Sequence, residues 1–218
     1  MPVIELQNVT KALKKNDVIA DVSLSVEAGT VVGLRGINGS GKTMLLRLIA
    51  GLIRPDKGTV QINHTKVKSG LDFPESIGLL IENPAFLDSY NGFDNLKLLA
   101  SIRDIISDAQ IEETLSDVGL GQAGKKKYKK YSLGMKQRLG IAAAVMEHPD
   151  LILLDEPTNA LDDDGIDMVG RIVRREKERG ATILVACHDK EILTQMADQI
   201  VYMDSGKIVR TESVGQVR

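Results

Sequence analysis

Covalent cross-links are the first thing this sequence goes without. Its 218 residues hold one cysteine, Cys187, which excludes an internal disulfide and suits a reducing compartment. No stretch approaches eighteen unbroken apolar residues, so nothing reads as a membrane span. If the protein works at a membrane, another chain crosses it. The opening "MPVIELQNV" has no basic start followed by an apolar run, and no signal peptide is expected. An excess of charge is missing too. Lys and Arg number 28 against 30 Asp and Glu, a net charge of −2, so no global field draws the chain to nucleic acid or anionic lipid. What is present is an ordinary globular composition, 43% hydrophobic and 27% charged, at a length that suits one sizeable core.

The first sixty residues read as strands. "VIELQNV", "VSLSVEAG" and "VQIN" alternate or cluster β-branched residues between turn signals at Asn16-Asp17 and Asp56-Lys57-Gly58. "TVVGLRG" is a short apolar run ending in glycine, followed by "KTMLLRLIAGL", where Leu45, Leu48, Ile49 and Leu52 keep helical spacing. From about Asn83 to Pro149 no convincing strand is found. Ser107 and Gln110 have capping-box spacing ahead of the stripe Ile111, Leu115 and Val118, and Gly119 can end that helix. A longer helix is expected from about Leu133 to Glu147, burying Met135, Leu139, Ala142, Ala143 and Met146, with Pro149 as its stop. The last third brings back apolar runs. "LILLD" and "TILVAC" suit strands buried on both faces of a parallel sheet, separated by an amphipathic helix that ends at Gly180. "QIVYMDSGKIV" reads as two strands joined at Ser205-Gly206. The expectation is an α/β core interrupted by a helical insert.

Three stretches carry chemistry. "GINGSGKT", Gly36 to Thr43, has the spacing of a phosphate loop. Its glycines let backbone N–H groups turn inward around a phosphate where a Cβ would clash. Lys42 reaches the β- and γ-phosphates, Thr43 can ligate Mg²⁺, and the following helix aims its positive end at the site. "LILLDEP" delivers Asp155 and Glu156 at the carboxyl end of a buried strand, where α/β sheets place their ligands. Asp155 would hold Mg²⁺ directly or through water, and Glu156 is free to polarise a water toward the γ-phosphate. "YSLGMKQR" places Ser132 where an N-cap would stand, and Gly134 leaves the helix start uncovered. Together they make a second anion site or a plain helix cap.

The phosphate loop, "YSLGMKQR", "LILLDEPTNALD" and "VACHD", in this order and spacing, resemble the nucleotide-binding subunit of an ATP-binding cassette (ABC) transporter over essentially the whole chain. The resemblance implies a P-loop NTPase (RecA-like) α/β core with an antiparallel β-subdomain and an inserted α-helical subdomain. The core and β-subdomain would take about residues 1–82 and 150–218, and the helical subdomain about 83–149. ATP would contact Gly36, Asn38, Gly39, Ser40, Gly41, Lys42, Thr43 and Met44. Thr43, Glu82 and Asp155 would face Mg²⁺. Glu156 resembles the catalytic carboxylate, and His188 the switch histidine that contacts the γ-phosphate. In the family the signature stretch closes over ATP held by the other subunit of a head-to-tail dimer, so Ser132 and Gly134 would face a neighbour's nucleotide. Ala160, Leu161 and Asp162 resemble the loop that couples the two sites. His64, in a turn, and His148, before the stopping proline, read as structural.

The sequence departs from the family pattern in three places. Leu133 and Met135 replace the usual glycine and glutamine of the signature. Leu13 stands near where an aromatic ring usually stacks on adenine, which weakens base selectivity unless Tyr128 or Tyr131 of a neighbouring chain supplies a ring. Glu82 replaces the usual glutamine, in "GLLIENP". "LIENP" with "YSLGMKQR" resembles the branch of bacitracin-resistance and lantibiotic-immunity exporters.

The resemblance implies an ATPase subunit that drives a separately encoded integral-membrane permease, peripheral on the cytoplasmic face of the membrane. It would work as an ATP-dependent homodimer exporting peptide antibiotics or other amphipathic compounds. The alternative is a soluble ABC machine acting on nucleic acid or ribosomes. Such machines usually carry coiled coils, a second cassette or nucleic-acid modules; none is seen here, and no nucleic-acid partner is expected. The run Lys125, Lys126, Lys127, Lys129 and Lys130 reads as a solvated loop.

Overall fold

Two sheets of different construction divide the chain. In the computed structural model the described residues are 2–14, 16–67, 74–82 and 84–215. Asn83, where the helical insert is expected to begin, lies outside them. The first sheet is antiparallel, in the order β2 (Asn16–Glu27), β1 (Pro2–Leu13), β4 (Lys57–Ile62), β5 (Thr65–Lys66). The β1–β2 hairpin pairs Leu13 with Asn16, so Asn16-Asp17 opens β2 and the reversal comes just before it.

The second sheet has the order β10 (Lys207–Ser213), β9 (Gln199–Asp204), β3 (Val31–Arg35), β8 (Thr182–Cys187), β7 (Leu151–Asp155), β6 (Ile77–Leu80). Its pairs from β9 to β6 are parallel, and β9–β10 is the expected antiparallel hairpin. The unbroken apolar runs sort by period two onto its two faces. Val32, Leu34, Leu151, Leu153, Leu184 and Ala186 join α1 (Lys42–Ile49) and the first sheet in one core. Val31, Ile152, Leu154, Ile183 and Val185 join the remaining helices in the other.

Between β6 and β7 the regular elements among the described residues are helices, with one isolated bridge between Asn91 and Lys127. The helices are α2 (Gly92–Ala100), α3 (Asp108–Asp117) and α4 (Leu133–Val145), with two short 3₁₀ turns at Ala123–Lys125 and Tyr128–Lys130. The Ser107–Gln110 capping box forms at the start of α3. After β7 come α5 (Asp163–Glu178) and, beyond β8, α6 (Lys190–Met196). Among the described residues no helix is long and apolar enough to cross a membrane.

Two details differ from the periodicity. Leu52 does not continue the stripe of α1. Gly51 N–H donates to Leu48 O and Leu52 N–H to Arg47 O, a Schellman closure that turns the chain out and leaves Leu52 45% exposed. In α4 the stripe widens into near-complete burial. Gln137, Leu139, Gly140, Ile141, Ala142, Ala144 and Val145 are all buried, while Met135 and Ala143 are half-buried. This helix is enclosed by β6, β7, α2 and α3, which no amphipathic pattern reveals.

Candidate functional site

The carboxyl ends of β3, β7 and β8 converge on one place, because parallel strands in register deliver their last residues side by side. From β3 the chain enters the loop 36–41. Gly36 sits so close to the Ser40 side chain and the Met203 carbonyl that a Cβ would collide with both. Gly41 caps α1 in a left-handed conformation, φ +106°, with no side chain over the helix start. The first N–H groups of α1 therefore lack a side-chain cap, the condition under which a helix end takes an anion. Asn38 and Gly39 lie exposed on the turn, and Met44 is half-buried against the core around α1.

Lys42 is buried, and its Nζ donates to Gly36 O at 2.7 Å and Ile37 O at 3.2 Å. It also lies 3.5 Å from Glu156 Oε1. Thr43 Oγ1 donates to Asp155 Oδ2 at 2.6 Å. Glu156 follows at φ +47°, with its N–H on Ala186 O at 2.8 Å. A non-glycine residue in that conformation costs about 1–2 kcal/mol. The turn brings the carboxylate back over the strand ends, with Oε2 3.0 Å from His188 Nδ1.

Three buried oxygens at this place have no hydrogen-bond partner: Ser40 Oγ, Asp155 Oδ1 and Glu156 Oε1. Native structures leave few such atoms unpaired, and three in one cleft mark a place fitted to a polar ligand. Burial pushes Asp155 above the ordinary aspartate range. The Thr43 hydrogen bond pulls it back, nearby Glu156 raises it further, Lys42 lowers it, and Glu82 adds to the rise. A cation held by Asp155 Oδ1 and Thr43 Oγ1 would remove that penalty, so hydroxyl and carboxylate suit a hard divalent cation. Uncapped N–H groups, one lysine, a hard-cation pair and a carboxylate–imidazole pair can together bind phosphates and direct a water at them.

Glu82 stands elsewhere in this frame. At φ +62° it points to Arg47, 2.5 Å away, and its side chain is 61% exposed. Its carboxylate is within Coulombic influence of Asp155 while paired to the guanidinium.

Ser132 caps α4, its Oγ accepting from Met135 N–H at 3.2 Å. Gly134 has a reason within its own chain. A Cβ there would lie 2.8 Å from the Ala160 carbonyl oxygen, so the start of α4 rests against the loop between β7 and α5. Asp162 caps α5 through Gly165 N–H at 3.0 Å and receives Arg138 Nη2 at 3.2 Å. Arg138 also donates to Val118 O at 3.0 Å.

Two residues were not singled out from the sequence. Gln137, buried on α4, donates Nε2 to Glu156 O at 3.0 Å, and Arg138 ties α3 and α4 to Asp162. Gln137 stands between Lys136 and Arg138 in the sequence, and nothing local sets either residue apart. Tyr128 and Tyr131 are buried among helix side chains, so neither offers a ring to a neighbour. Leu13 ends β1 half-exposed. His148 pairs with the buried Glu176 at 3.3 Å, and His64 lies in the β4–β5 turn.

A doubly cored α/β sheet with a phosphate loop and an acidic strand end defines the class of P-loop nucleotide-hydrolysing proteins. Within that class, the chain belongs to the ABC transporter family, whose model matches residues 19–159. It is 46% identical to the uncharacterized ABC transporter ATP-binding protein YybJ of Bacillus subtilis, covering 97% of each chain. It is 38% identical to the bacitracin transport ATP-binding protein BcrA of Enterococcus faecalis, over 99% of this chain and 70% of that one. It is 34% identical to the lantibiotic transport ATP-binding protein SrtF of Streptococcus pyogenes, over 94% and 89%. The fold superposes with a TM-score of 0.88 on the dimeric post-hydrolysis structure of the cassette MJ0796 bound to ADP and Pi, at 26% identity over 97% and 99% of the two chains. The chain is thus an ABC ATPase, and BcrA and SrtF, bacitracin and lantibiotic transport proteins by name, match the branch that its "LIENP" and "YSLGMKQR" resemble.

Proposed function

We propose that this chain binds MgATP in the cleft at the ends of β3, β7 and β8 and hydrolyses it to drive a separately encoded membrane permease. Gly36, Asn38, Gly39, Ser40, Gly41, Lys42, Thr43 and Met44 receive the nucleotide. Thr43 and Asp155 would hold Mg²⁺, with Glu82, which influences Asp155 electrostatically, as a further oxygen donor. The cation neutralises phosphate charge when bound. Glu156 polarises the attacking water, and His188 orients that carboxylate and meets the γ-phosphate. The carrying observation is the 2.6 Å Thr43–Asp155 bond beside three buried oxygens without partners.

Ser132 and Gly134 serve the nucleotide of a second copy, and Asp162 couples the two sites. Two copies related by a twofold axis complete two sites at once. The names of the relatives favour a transport subunit over a soluble machine acting on nucleic acid or ribosomes. BcrA and SrtF point to export of peptide antibiotics or similar amphipathic compounds, with the chain held at the cytoplasmic face of the membrane by its permease.

Two measurements test this. The purified chain should hydrolyse ATP with Mg²⁺, and Lys42→Ala should lose that activity. In cells, the chain should sediment with membranes only when its permease is co-expressed. A wild-type chain that binds ATP without turnover would leave a nucleotide-binding scaffold instead.

A further inference from the structure

Beside the phosphate cleft lies a donor set that ATP hydrolysis does not use in full. Cys187 ends β8 with its thiol buried. Its Sγ accepts from Asp189 N–H at 3.4 Å and lies 3.9 Å from Thr158 Oγ1. Both contacts are long, and a sulfur accepting the one N–H keeps a further lone pair for a metal. One ligand atom each from Cys187, Glu156 and His188 lies within 4.8 Å of the others. His188 Nδ1 and Glu156 Oε2 are already 3.0 Å apart, and Glu156 Oε1 is buried without a hydrogen-bond partner.

The chemistry of this set differs from that of Thr43 and Asp155. Mg²⁺ demands oxygen ligands in octahedral array. A sulfur, an imidazole nitrogen and a carboxylate oxygen are instead the donors of a tetrahedral zinc site with three protein ligands and one open position. We propose that Glu156, Cys187 and His188 form an inhibitory site for Zn²⁺ or a similarly thiophilic divalent cation.

Metal–ligand bonds of about 2.0–2.3 Å place tetrahedral ligand atoms roughly 3.5 Å apart, so the widest separation must close by about 1 Å. His188, with a side chain 61% exposed, is free to change rotamer toward Cys187, and the Glu156 carboxylate can turn about its own bonds. The same exposure gives the cation a path from solvent and leaves room for a water as fourth ligand. On binding, the Cys187 S–H proton leaves to solvent and a sulfur lone pair forms the S–Zn bond; nothing is oxidised. The bound cation occupies the carboxylate and imidazole that otherwise act on water. That consequence rests on the hydrolytic roles proposed for Glu156 and His188, whereas cation binding itself does not.

The test uses the full chain as wild type, Cys187→Ala and Cys187→Ser. Nucleotide-free protein is titrated with Co²⁺ and read by its thiolate-to-metal charge-transfer absorption. ATPase rate is measured in excess Mg²⁺ with free Zn²⁺ set by a metal buffer. The wild type should develop the absorption and both variants should not. Removing even an outer-shell partner costs 10–100-fold in metal affinity, so half-inhibition of either variant should need at least about tenfold more free Zn²⁺. Without Zn²⁺, both variants should keep the wild-type rate, with melting temperatures lowered only by the loss of a small buried side chain. Absence of the band in wild type, its persistence in both variants, or equal Zn²⁺ sensitivity of all three overturns the proposal. A band lost in the variants without any inhibition of the wild type overturns the inhibitory role. A chain with no ATPase activity would count against the hydrolytic reading, and the Co²⁺ band would still decide the site.

Discussion

Gln137 of α4 holds the main-chain carbonyl of Glu156 through a 3.0 Å hydrogen bond. The helix whose first turn carries Ser132 and Gly134 is thereby tied to the residue that turns the acidic strand end back over the cleft. Glu156 occupies a left-handed conformation that needs support from its surroundings. Gln137→Leu should release it and leave a buried carbonyl unpaired, at about 1–3 kcal/mol. ATP turnover should fall by roughly tenfold or more, with ATP affinity little changed because the phosphate loop is untouched. Steady-state kinetics beside equilibrium nucleotide binding separates the two effects.

The 2.8 Å approach of a would-be Gly134 Cβ to the Ala160 carbonyl makes the smallest substitution informative. Gly134→Ala must push the start of α4 away from the loop that Asp162 closes. Overpacking of this kind costs about 1–3 kcal/mol. The melting temperature should drop, and hydrolysis should drop with it even where ATP still binds. A calorimetric scan and an ATPase assay on the same preparation check both.

Asp155 makes stability depend on pH. Its folded-state pKa is raised, first by burial, so ionising it costs more in the fold than in the unfolded chain. Its favourable contribution is complete below the ordinary aspartate value of about 3.9 and is lost as pH rises through the higher folded value. Without nucleotide or metal, Asp155→Asn should therefore melt above wild type near neutral pH, and the gap should shrink toward pH about 4. Thermal melts across that range decide it. MgATP should stabilise the wild type more than the variant, whose phosphate loop still takes the nucleotide but whose side chain offers the cation a neutral amide oxygen.

Leu13 bears on base choice. It offers apolar contact without a stacking face, forgoing the roughly 0.5–1.5 kcal/mol an aromatic pair adds. Burial of Tyr128 and Tyr131 removes the two rings that a neighbour could have offered in its place. GTP should then be hydrolysed within about tenfold of the ATP rate. Competition between the two nucleotides checks this, and a hundredfold preference for ATP would contradict it.

Periodicity and turn chemistry made most of the architecture legible in the sequence. The runs "LILLD" and "TILVAC" became β7 and β8 because strands buried on both faces need no polar alternation, and Ser107 with Gln110 formed the cap their spacing required. The phosphate loop and the acid pair were readable because their chemistry lies in contiguous residues. Contacts made across the fold were not. Gln137 reaches Glu156 across 19 positions and Arg138 reaches Asp162 across 24; neither has a local pattern. Gly134 was read as leaving room for a ligand, and its own-chain neighbour Ala160 became visible only once α4 and the β7–α5 loop were side by side. Glu82 was expected near the metal, and its partner Arg47 sits on the far turn of α1, where no spacing rule points.

Two copies of this chain are expected to share ATP across their faces and to separate when Glu156 completes hydrolysis. Glu156→Gln keeps the phosphate loop, Lys42 and the Thr43–Asp155 pair while removing the carboxylate that polarises water. Light scattering or sedimentation of this variant at about micromolar protein, with and without MgATP, is the direct measurement. The expected result is a monomer without nucleotide, a dimer with MgATP, and loss of that dimer when Ser132→Arg is added. A Glu156→Gln chain that binds ATP and stays monomeric throughout would contradict it.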